Sequence, residues 1–282
     1  MCYNSEEEML TEAGEAAVDK IDLSRFSLKD QTVVITGGSG GIGRACASTF
    51  AKSGANVVIA SLPPDSIPPV VQEVEALGVE ALGLVIDVSN AGQVKSMLDQ
   101  TLSKFGRVDV LVNVAGGSYS RNPYVPSFKR APLLELSPED FMLAYEINTK
   151  SAFLCAKAVV PAMKAYGKGS IINIGSISGR GTKKERADMA AYGCAKAALM
   201  NLTLHMAHQW GPEVRVNCIA PGIIDTPRPQ GTNREELTSE AIKRIALGRA
   251  GRADEVASVA LFLASDAASF VSGAIIDVNG GE

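Results

Sequence analysis

The stretch QTVVITGGSGGIGRACAS, residues 31–48, decides the fold. Its first six residues, Gln31–Thr36, are mostly apolar and β-branched, which is what a strand covered on both faces requires. They run without a break into Thr36-Gly37-Gly38-Ser39-Gly40-Gly41-Ile42-Gly43, where a helix pattern, Gly41–Ser53, begins. Strand, glycine loop and helix N-terminus together make an anion site. Backbone N–H groups point outward, the helix end favours negative charge, and no side chain blocks a pyrophosphate. Two glycine patterns overlap: Gly38, Gly40 and Gly43 satisfy GxGxxG, and Gly37, Gly41 and Gly43 satisfy GxxxGxG. Placement between a strand and a helix turns a weak motif into a dinucleotide-binding one. A nucleotide triphosphatase loop would continue Gly-Lys-Ser/Thr, whereas Gly43 is followed by Arg44 and Ala45.

Working outward, strand and helix patterns alternate. Strands are expected at Asn56–Ser61, Glu80–Val88, Val108–Asn113, Ser170–Ile174, Val214–Ile219 and Ala274–Val278. Helices are expected at Asp65–Leu77, Ala91–Phe105, from Ser137 through Asn148 to about Tyr166, at Ala190–Trp210 and at Ala253–Ala264. Ser137-Pro138-Glu139-Asp140 has the cap, the first-turn proline and the acids of a helix start. This alternation predicts an α/β chain built on a doubly wound, Rossmann-type parallel sheet of about seven strands, with helices on both faces. Composition does not shift along it. Residues 30–282 are expected to be one domain, residues 1–29 an acidic extension, and residues 117–136, 179–189 and 225–249 the loops that meet the substrate.

Composition excludes other classes. The 282 residues are 46% hydrophobic and 21% charged, with net charge −4, ordinary for a globular chain. No run approaches the roughly 18–20 apolar residues of a membrane span, and the acidic start MCYNSEEEML lacks the basic region of a signal peptide. Neither membrane nor nucleic-acid partners are expected, the latter needing a positive footprint. The five cysteines (Cys2, Cys46, Cys155, Cys194, Cys218) contain no CxxC pair, so no disulfide framework or zinc site is expected. Free thiols fit a reducing, cytoplasmic setting. The two histidines, His205 and His208, have no patterned co-ligands, so no metal is expected.

Chemistry points to Tyr192-Gly193-Cys194-Ala195-Lys196. A spacing of four places phenol and ammonium on one helix face. A neighbouring positive charge lowers a phenol, ordinarily near pKa 10, by roughly 1–3 units. At the end of the second strand, where an acid would hold the ribose hydroxyls of NAD, stands Ser61.

Together these residues resemble the classical short-chain dehydrogenase/reductase family, from about Gln31 to Gly281. The landmarks fall in the family's order: Thr36–Gly43, Asp87-Val88, Asn113-Val114-Ala115-Gly116, Asn148, Ser176, Tyr192 with Lys196, Pro221-Gly222, Thr226 and Asp277–Gly281. The resemblance implies an oxidoreductase that interconverts a secondary alcohol and a ketone by hydride transfer. Tyr192 would be the general acid or base, and Lys196 would tune it and bind the nicotinamide ribose. Ser176 would hold the reacting oxygen, and Asn148 would hold a relay water. Cofactor contacts would come from Gly37, Ser39, Gly40, Gly41, Ile42, Gly43, Ser61, Asp87, Val88, Asn113, Ala115, Gly116, Tyr192, Lys196, Pro221, Gly222, Ile224 and Thr226. A catalytically inactive nucleotide-binding relative is the alternative.

Three departures carry consequences. Val114 stands where the family usually has a second asparagine. Ser176 and Tyr192 are 16 positions apart, about three more than the family pattern, which assigns Lys183-Lys184-Glu185-Arg186 to a charged loop at the substrate entrance. Ser61 removes the acid that repels a 2′-phosphate, so NADP(H) is expected, with Arg44 supplying charge. Gly40 and Leu62 replace basic residues of many NADP-preferring relatives, which keeps NAD(H) as the alternative. In the first substrate loop Tyr119, Arg121, Tyr124, Phe128, Lys129 and Arg130 suit an anionic or aromatic small molecule. The family pairs two long helices across a two-fold axis, here about Ser151–Tyr166 and Ala190–Trp210. A homotetramer is expected, because the apolar content of these helices (Phe153, Leu154, Val159, Val160, Ala197, Leu199, Met200 and Leu202), part of it core, exceeds what one sheet contact requires.

Overall fold

Most strands of the main sheet feed two apolar cores, one above the sheet and one below. In β1 (Thr32–Thr36), Val33 and Ile35 join one core and Val34 the other. β2 (Asn56–Ser61) divides Val57 and Ile59 from Val58 and Ala60, and β5 (Gly169–Ile174) divides Ile172 and Ile174 from Ile171. Successive side chains on a strand point to opposite faces, so a sheet covered on both sides reads as unbroken apolar sequence. The first core packs under α1 (Gly41–Lys52), α2 (Ile67–Glu75) and α7 (Ala253–Ala264). The second packs under α3 (Ala91–Phe105), α5 (Ser151–Ala165) and α6 (Ala190–Trp210). These relationships come from a computed structural model that describes residues 22–62, 64–118, 130–181, 184–226, 239 and 241–282.

With β3 (Ala81–Val85), β4 (Val110–Asn113), β6 (Val214–Pro221) and β9 (Ile275–Val278), the sheet has seven strands in the order β3-β2-β1-β4-β5-β6-β9. All its pairings are parallel. The chain winds outward from β1 to β3, then returns to lay β4 on the other side of β1. A crevice therefore opens at the C-terminal ends of β1 and β4, where open α/β sheets bind ligands.

The expected bounds of α3, α6 and α7 agree with the structure. Ser137 caps α4 (Pro138–Tyr145), its side chain accepting the Asp140 N–H at 3.0 Å. Two elements differ most. β3 stops at Val85 because Asp87 Oδ1 accepts the Ser89 N–H at 2.9 Å, turning the chain before Val88; an Asp side chain bonding its own backbone two residues on makes such a turn. α2 starts at Ile67 after a short turn at Pro64–Ser66, its prolines occupying the first helical positions. A second, two-stranded pairing of β7 (Ile224–Asp225) with β8 (Gly251–Arg252) has no counterpart in the sequence reading, since two residues show no periodicity.

Of the eight apolar residues named on the two long helices, Val159, Val160, Leu199 and Met200 are the part that belongs to the core. Phe153 is 37% exposed, on an outer stripe with Lys157 and Pro161. Asp109 is structural, as its position before the fourth apolar run implied. It accepts the Thr32 N–H at 2.8 Å and a bidentate pair from Arg107. Most of the 1–29 extension, Tyr119, Arg121, Tyr124, Phe128, Lys129, Lys183 and much of the 225–249 loop lie outside the described residues.

Candidate active site

The glycine loop is shaped by two close approaches. Gly37 leaves β1 at φ +64°, and a Cβ there would lie 3.0 Å from Ala115 Cα and N. A side chain would push β1 and β4 apart, and the left-handed backbone would strain it as well. Thr36 Oγ1 seals the same junction, accepting the N–H groups of Val114 and Ala115 at 3.1 and 3.2 Å. A Cβ on Gly43 would fall 2.1 Å from Gly37 O, so Gly43 lets α1 pack onto the loop. At Gly40 a Cβ would meet nothing within 4 Å; that position opens into the crevice.

The crevice is a cleft of about 1490 Å³, above the roughly 300–1,000 Å³ of a single small-molecule site. Of the expected contacts, Gly37, Ser39, Gly40, Gly41, Ile42, Ser61, Asp87, Val88, Ala115, Gly116, Pro221, Gly222, Ile224 and Thr226 line it together with Ser176, Tyr192 and Lys196. Gly41 and Thr226 meet across it, a Cβ on Gly41 lying 3.4 Å from Thr226 Cγ2.

Gly43, Asn113 and Asn148 do not line the cleft. Gly43 serves packing, as above. The Asn113 side chain turns under the sheet and donates to Asn173 Oδ1 at 2.9 Å, and Asn173 donates to Thr203 Oγ1 at 3.0 Å. This buried chain ties β4 to β5 and α6. Asn148 is 1% exposed, in a π-turn (Glu146–Lys150) between α4 and α5. Its Oδ1 accepts the Gly117 N–H at 2.9 Å, and its Nδ2 donates to Gly117 O and Ala144 O, both at 3.0 Å. An amide nitrogen has two N–H donors, so both are used in fastening this side chain to the Gly117 and Ala144 carbonyls.

Ser176, Tyr192 and Lys196 converge where β5 ends and α6 begins. Ser176 Oγ accepts the Ser178 N–H at 3.2 Å and lines the cleft together with Tyr192. Lys196, 3% exposed, donates to Ile174 O at 2.7 Å, with Nζ 5.8 Å from the centre of the Tyr192 ring. Burial pulls its ammonium down to about 8. Tyr192 departs from expectation. Burial pushes its phenol above the ordinary value, outweighing the Ser176 hydroxyl and the charge of Arg186, which both lower it. Arg186, at the end of the inserted charged loop, adds a positive charge that lowers the phenol, and Lys196 Nζ stands beside the same ring.

At the opposite end, Ser61 Oγ lies 2.6 Å from Ser39 Oγ, and Ser66 Oγ donates to Ser39 Oγ at 2.7 Å. Arg44, expected as a source of positive charge there, is clasped by Glu73: Nε donates to Oε2 at 2.9 Å and Nη2 to Oε1. Ser66 and Glu73 are cleft residues that sequence reading missed. Neither carries a motif; they are brought in by α2 and the turn before it.

Such a cleft, with a glycine loop at one end and a serine–tyrosine–lysine group at the other, defines a nucleotide-dependent oxidoreductase. Comparison with known proteins agrees. The family model described as Enoyl-(Acyl carrier protein) reductase matches residues 37–282. The chain is 34% identical over 255 residues to the 3-oxoacyl-(acyl-carrier-protein) reductase FabG of Thermotoga maritima, covering 90% of this chain and 98% of that one. It is 35% identical over 255 residues to the 7alpha-hydroxysteroid dehydrogenase of Escherichia coli K12, covering 90% and 94%. A structure of 7 alpha-hydroxysteroid dehydrogenase complexed with NADH and 7-oxo glycochenodeoxycholic acid superposes with TM-score 0.83 at 34% identity, covering 92% of this chain and 96% of that one. Levodione reductase superposes with TM-score 0.82 at 30% identity, covering 90% and 97%. The chain belongs to the short-chain dehydrogenase/reductase family. It is an enzyme of the kind that acts on alcohol and ketone groups.

Proposed function

We propose that this enzyme interconverts a secondary alcohol and a ketone with a nicotinamide dinucleotide, NADP(H) in preference to NAD(H). The observation that carries the reading is the convergence of Ser176, Tyr192 and the buried Lys196, its Nζ 5.8 Å from the Tyr192 ring centre, in a cleft that also holds the bare glycine loop. An inactive nucleotide-binding relative would not need that constellation.

The residues fit a dinucleotide. Backbone N–H groups at Gly41 and Ile42, with the open position of Gly40, would take the pyrophosphate. Ser39, Ser61 and Ser66 would face the adenosine ribose, Asp87 and Val88 the adenine, Ala115 and Gly116 the adenosine side, and Pro221–Thr226 the carboxamide. When bound, the nicotinamide supplies or accepts the hydride. Ser176 Oγ donates to the reacting oxygen and holds it against Tyr192. Tyr192 donates its proton to that oxygen in reduction and takes it back in oxidation. Lys196 keeps a positive donor on the ribose side of the tyrosine, and Asn148 fixes Gly117 at the cleft wall.

Three hydroxyls and no carboxylate at the end of β2 favour a 2′-phosphate, a discrimination of about 1–2 kcal/mol. Glu73 limits it by neutralising Arg44. The chain is read as one domain over residues 30–282, with substrate contacts from the loops at 117–136, 179–189 and 225–249. It is read as a homotetramer paired through α5 and α6. Among the described residues no helix is long and apolar enough to cross a membrane. Cys46, Cys155, Cys194 and Cys218 are unpaired, which supports a cytoplasmic, reducing setting. The test is a panel of ketones and secondary alcohols assayed with both cofactors. Turnover of at least one ketone, faster with NADPH, supports the reading; nucleotide binding with no turnover of any member favours the inactive relative.

A further inference from the structure

Three guanidinium groups from three separate segments line the cleft that holds Tyr192. Arg130 precedes α4, Arg186 lies on the turn Lys184–Met189 before α6, and Arg244 follows β7. Arg130 Nη2 pairs with Asp188 Oδ1 at 2.8 Å, and Arg186 Nη2 with Glu282 Oε1 at 2.8 Å. The Glu282 side chain is fully buried and that of Arg186 is 19% exposed. The arrangement is directional. The arginines line the cleft, whereas Asp188 and Glu282 stand behind them and do not. Two carboxylates do face this part of the cleft, Glu146 and Asp225, and Glu146 pairs with Lys150 at 3.5 Å.

A guanidinium braced from behind by a carboxylate keeps its planar fork in place, and such forks match the geometry of an oxyanion. Holding a cation with a buried partner also lowers the ordering cost of binding. Arg186 is near enough to the reacting group for its charge to be felt at the Tyr192 hydroxyl. A substrate whose oxygen sits between Ser176 and Tyr192 therefore has a fixed cation beside it.

We infer that the substrate is an oxo or hydroxy compound carrying an oxyanion, a carboxylate in the first instance, close to the reacting carbon, and that Arg186 receives this group in a cleft also lined by Arg130 and Arg244. The inference rests on the alcohol–ketone reading above and adds the chemical class of the substrate. Glu282 is the positioning residue, holding Arg186 at the cleft.

Matched probes test it. Reduction of levulinate is compared with methyl levulinate, and of 4-oxocyclohexanecarboxylate with its methyl ester, using the full chain as wild type, Arg186→Gln, Arg186→Lys and Glu282→Gln. The acid should exceed its ester in kcat/KM by about tenfold or more, and Arg186→Gln should erase most of that ratio through KM. Arg186→Lys should keep an intermediate ratio, and Glu282→Gln should lower it partway. A purely structural role for Arg186 would lower acid and ester by the same factor. An equal preference in the wild type, or an unchanged ratio in Arg186→Gln, overturns the inference without touching the catalytic reading. If no ketone is reduced at all, the catalytic reading fails instead. Calorimetric binding of 4-hydroxycyclohexanecarboxylate and its methyl ester, with oxidised cofactor present, then decides the matter. Tighter binding of the acid, lost in Arg186→Gln, supports the inference, and equal binding of acid and ester overturns it. Should Arg186→Gln not fold, the acid-to-ester ratios of the wild type and of Arg186→Lys settle the same question.

Discussion

Lys196 Nζ donates to the carbonyl of Ile174 at 2.7 Å, so the ammonium is anchored to the last residue of β5. The anchor keeps a charge in a place that disfavours it, and burial brings its pKa from 10.5 down to about 8. The folded protein then binds fewer protons than the unfolded chain between about pH 8 and 10.5. Stability tied to this group is lowest below pH 8 and is gained as pH rises through that window. Denaturant unfolding of wild type and Lys196→Met at several pH values should show the wild type gaining up to about 3 kcal/mol relative to the variant from pH 7 to 10. A constant difference across that range would show that the lysine is not held as described.

Arg44 and Glu73 make the cofactor end adjustable. Glu73→Gln releases the guanidinium from its carboxylate, and the preference for NADPH over NADH should rise by about tenfold at most, the scale of one charge-assisted hydrogen bond. Ser61→Asp should move preference the other way, by adding a ribose acceptor and a repulsion for the phosphate. The ratio of kcat/KM for the two reduced cofactors checks both. A wild-type preference for NADH beyond about tenfold would refute the NADP(H) reading.

Phe153 presents the largest apolar group on the outer stripe of α5. Phe153→Asp should break the pairing of α5 and α6 across a two-fold axis and lower the mass seen by light scattering, with little change in the monomer's fold. A wild-type protein that runs as a 29.5 kDa monomer at micromolar concentration would contradict the assembly.

How much of this was open to sequence reading can be argued from particular residues. The glycine loop, Ser176, Tyr192 and Lys196 were readable because each is a residue type its position demands: no Cβ fits at Gly43, and a phenol with a neighbouring amine suits the proton chemistry. The long helices were readable because α3, α6 and α7 carry sustained patterns between clear ends. Asn113 was misplaced because motif order assigns a position along the chain but not the face of the sheet to which the side chain points. The direction of the Tyr192 shift was missed for a related reason. Spacing shows that Lys196 is near, but not that burial outweighs every charge around the phenol. Ser66 and Glu73 were invisible because only the packing of α2 brings them to the cleft.

Proton exchange at Tyr192 also sets a pH profile. Burial raises this phenol, so it is protonated at neutral pH. Below the pH near 8 at which Lys196 loses its proton, ketone reduction, which needs the acid form, should be nearly flat, whereas alcohol oxidation, which needs the phenolate, should rise close to tenfold per unit. Initial rates in both directions check it; an oxidation rate independent of pH would place the base elsewhere.

The most direct measurement is the turnover of Tyr192→Phe, which removes one hydroxyl and keeps the ring. Cofactor affinity, read by fluorescence titration, should stay within about twofold of wild type, while kcat falls by roughly 10²–10⁴, the contribution of a positioned acid or base. A variant that binds cofactor normally and keeps kcat within about tenfold of wild type would contradict the account, because another group would then be handling the proton.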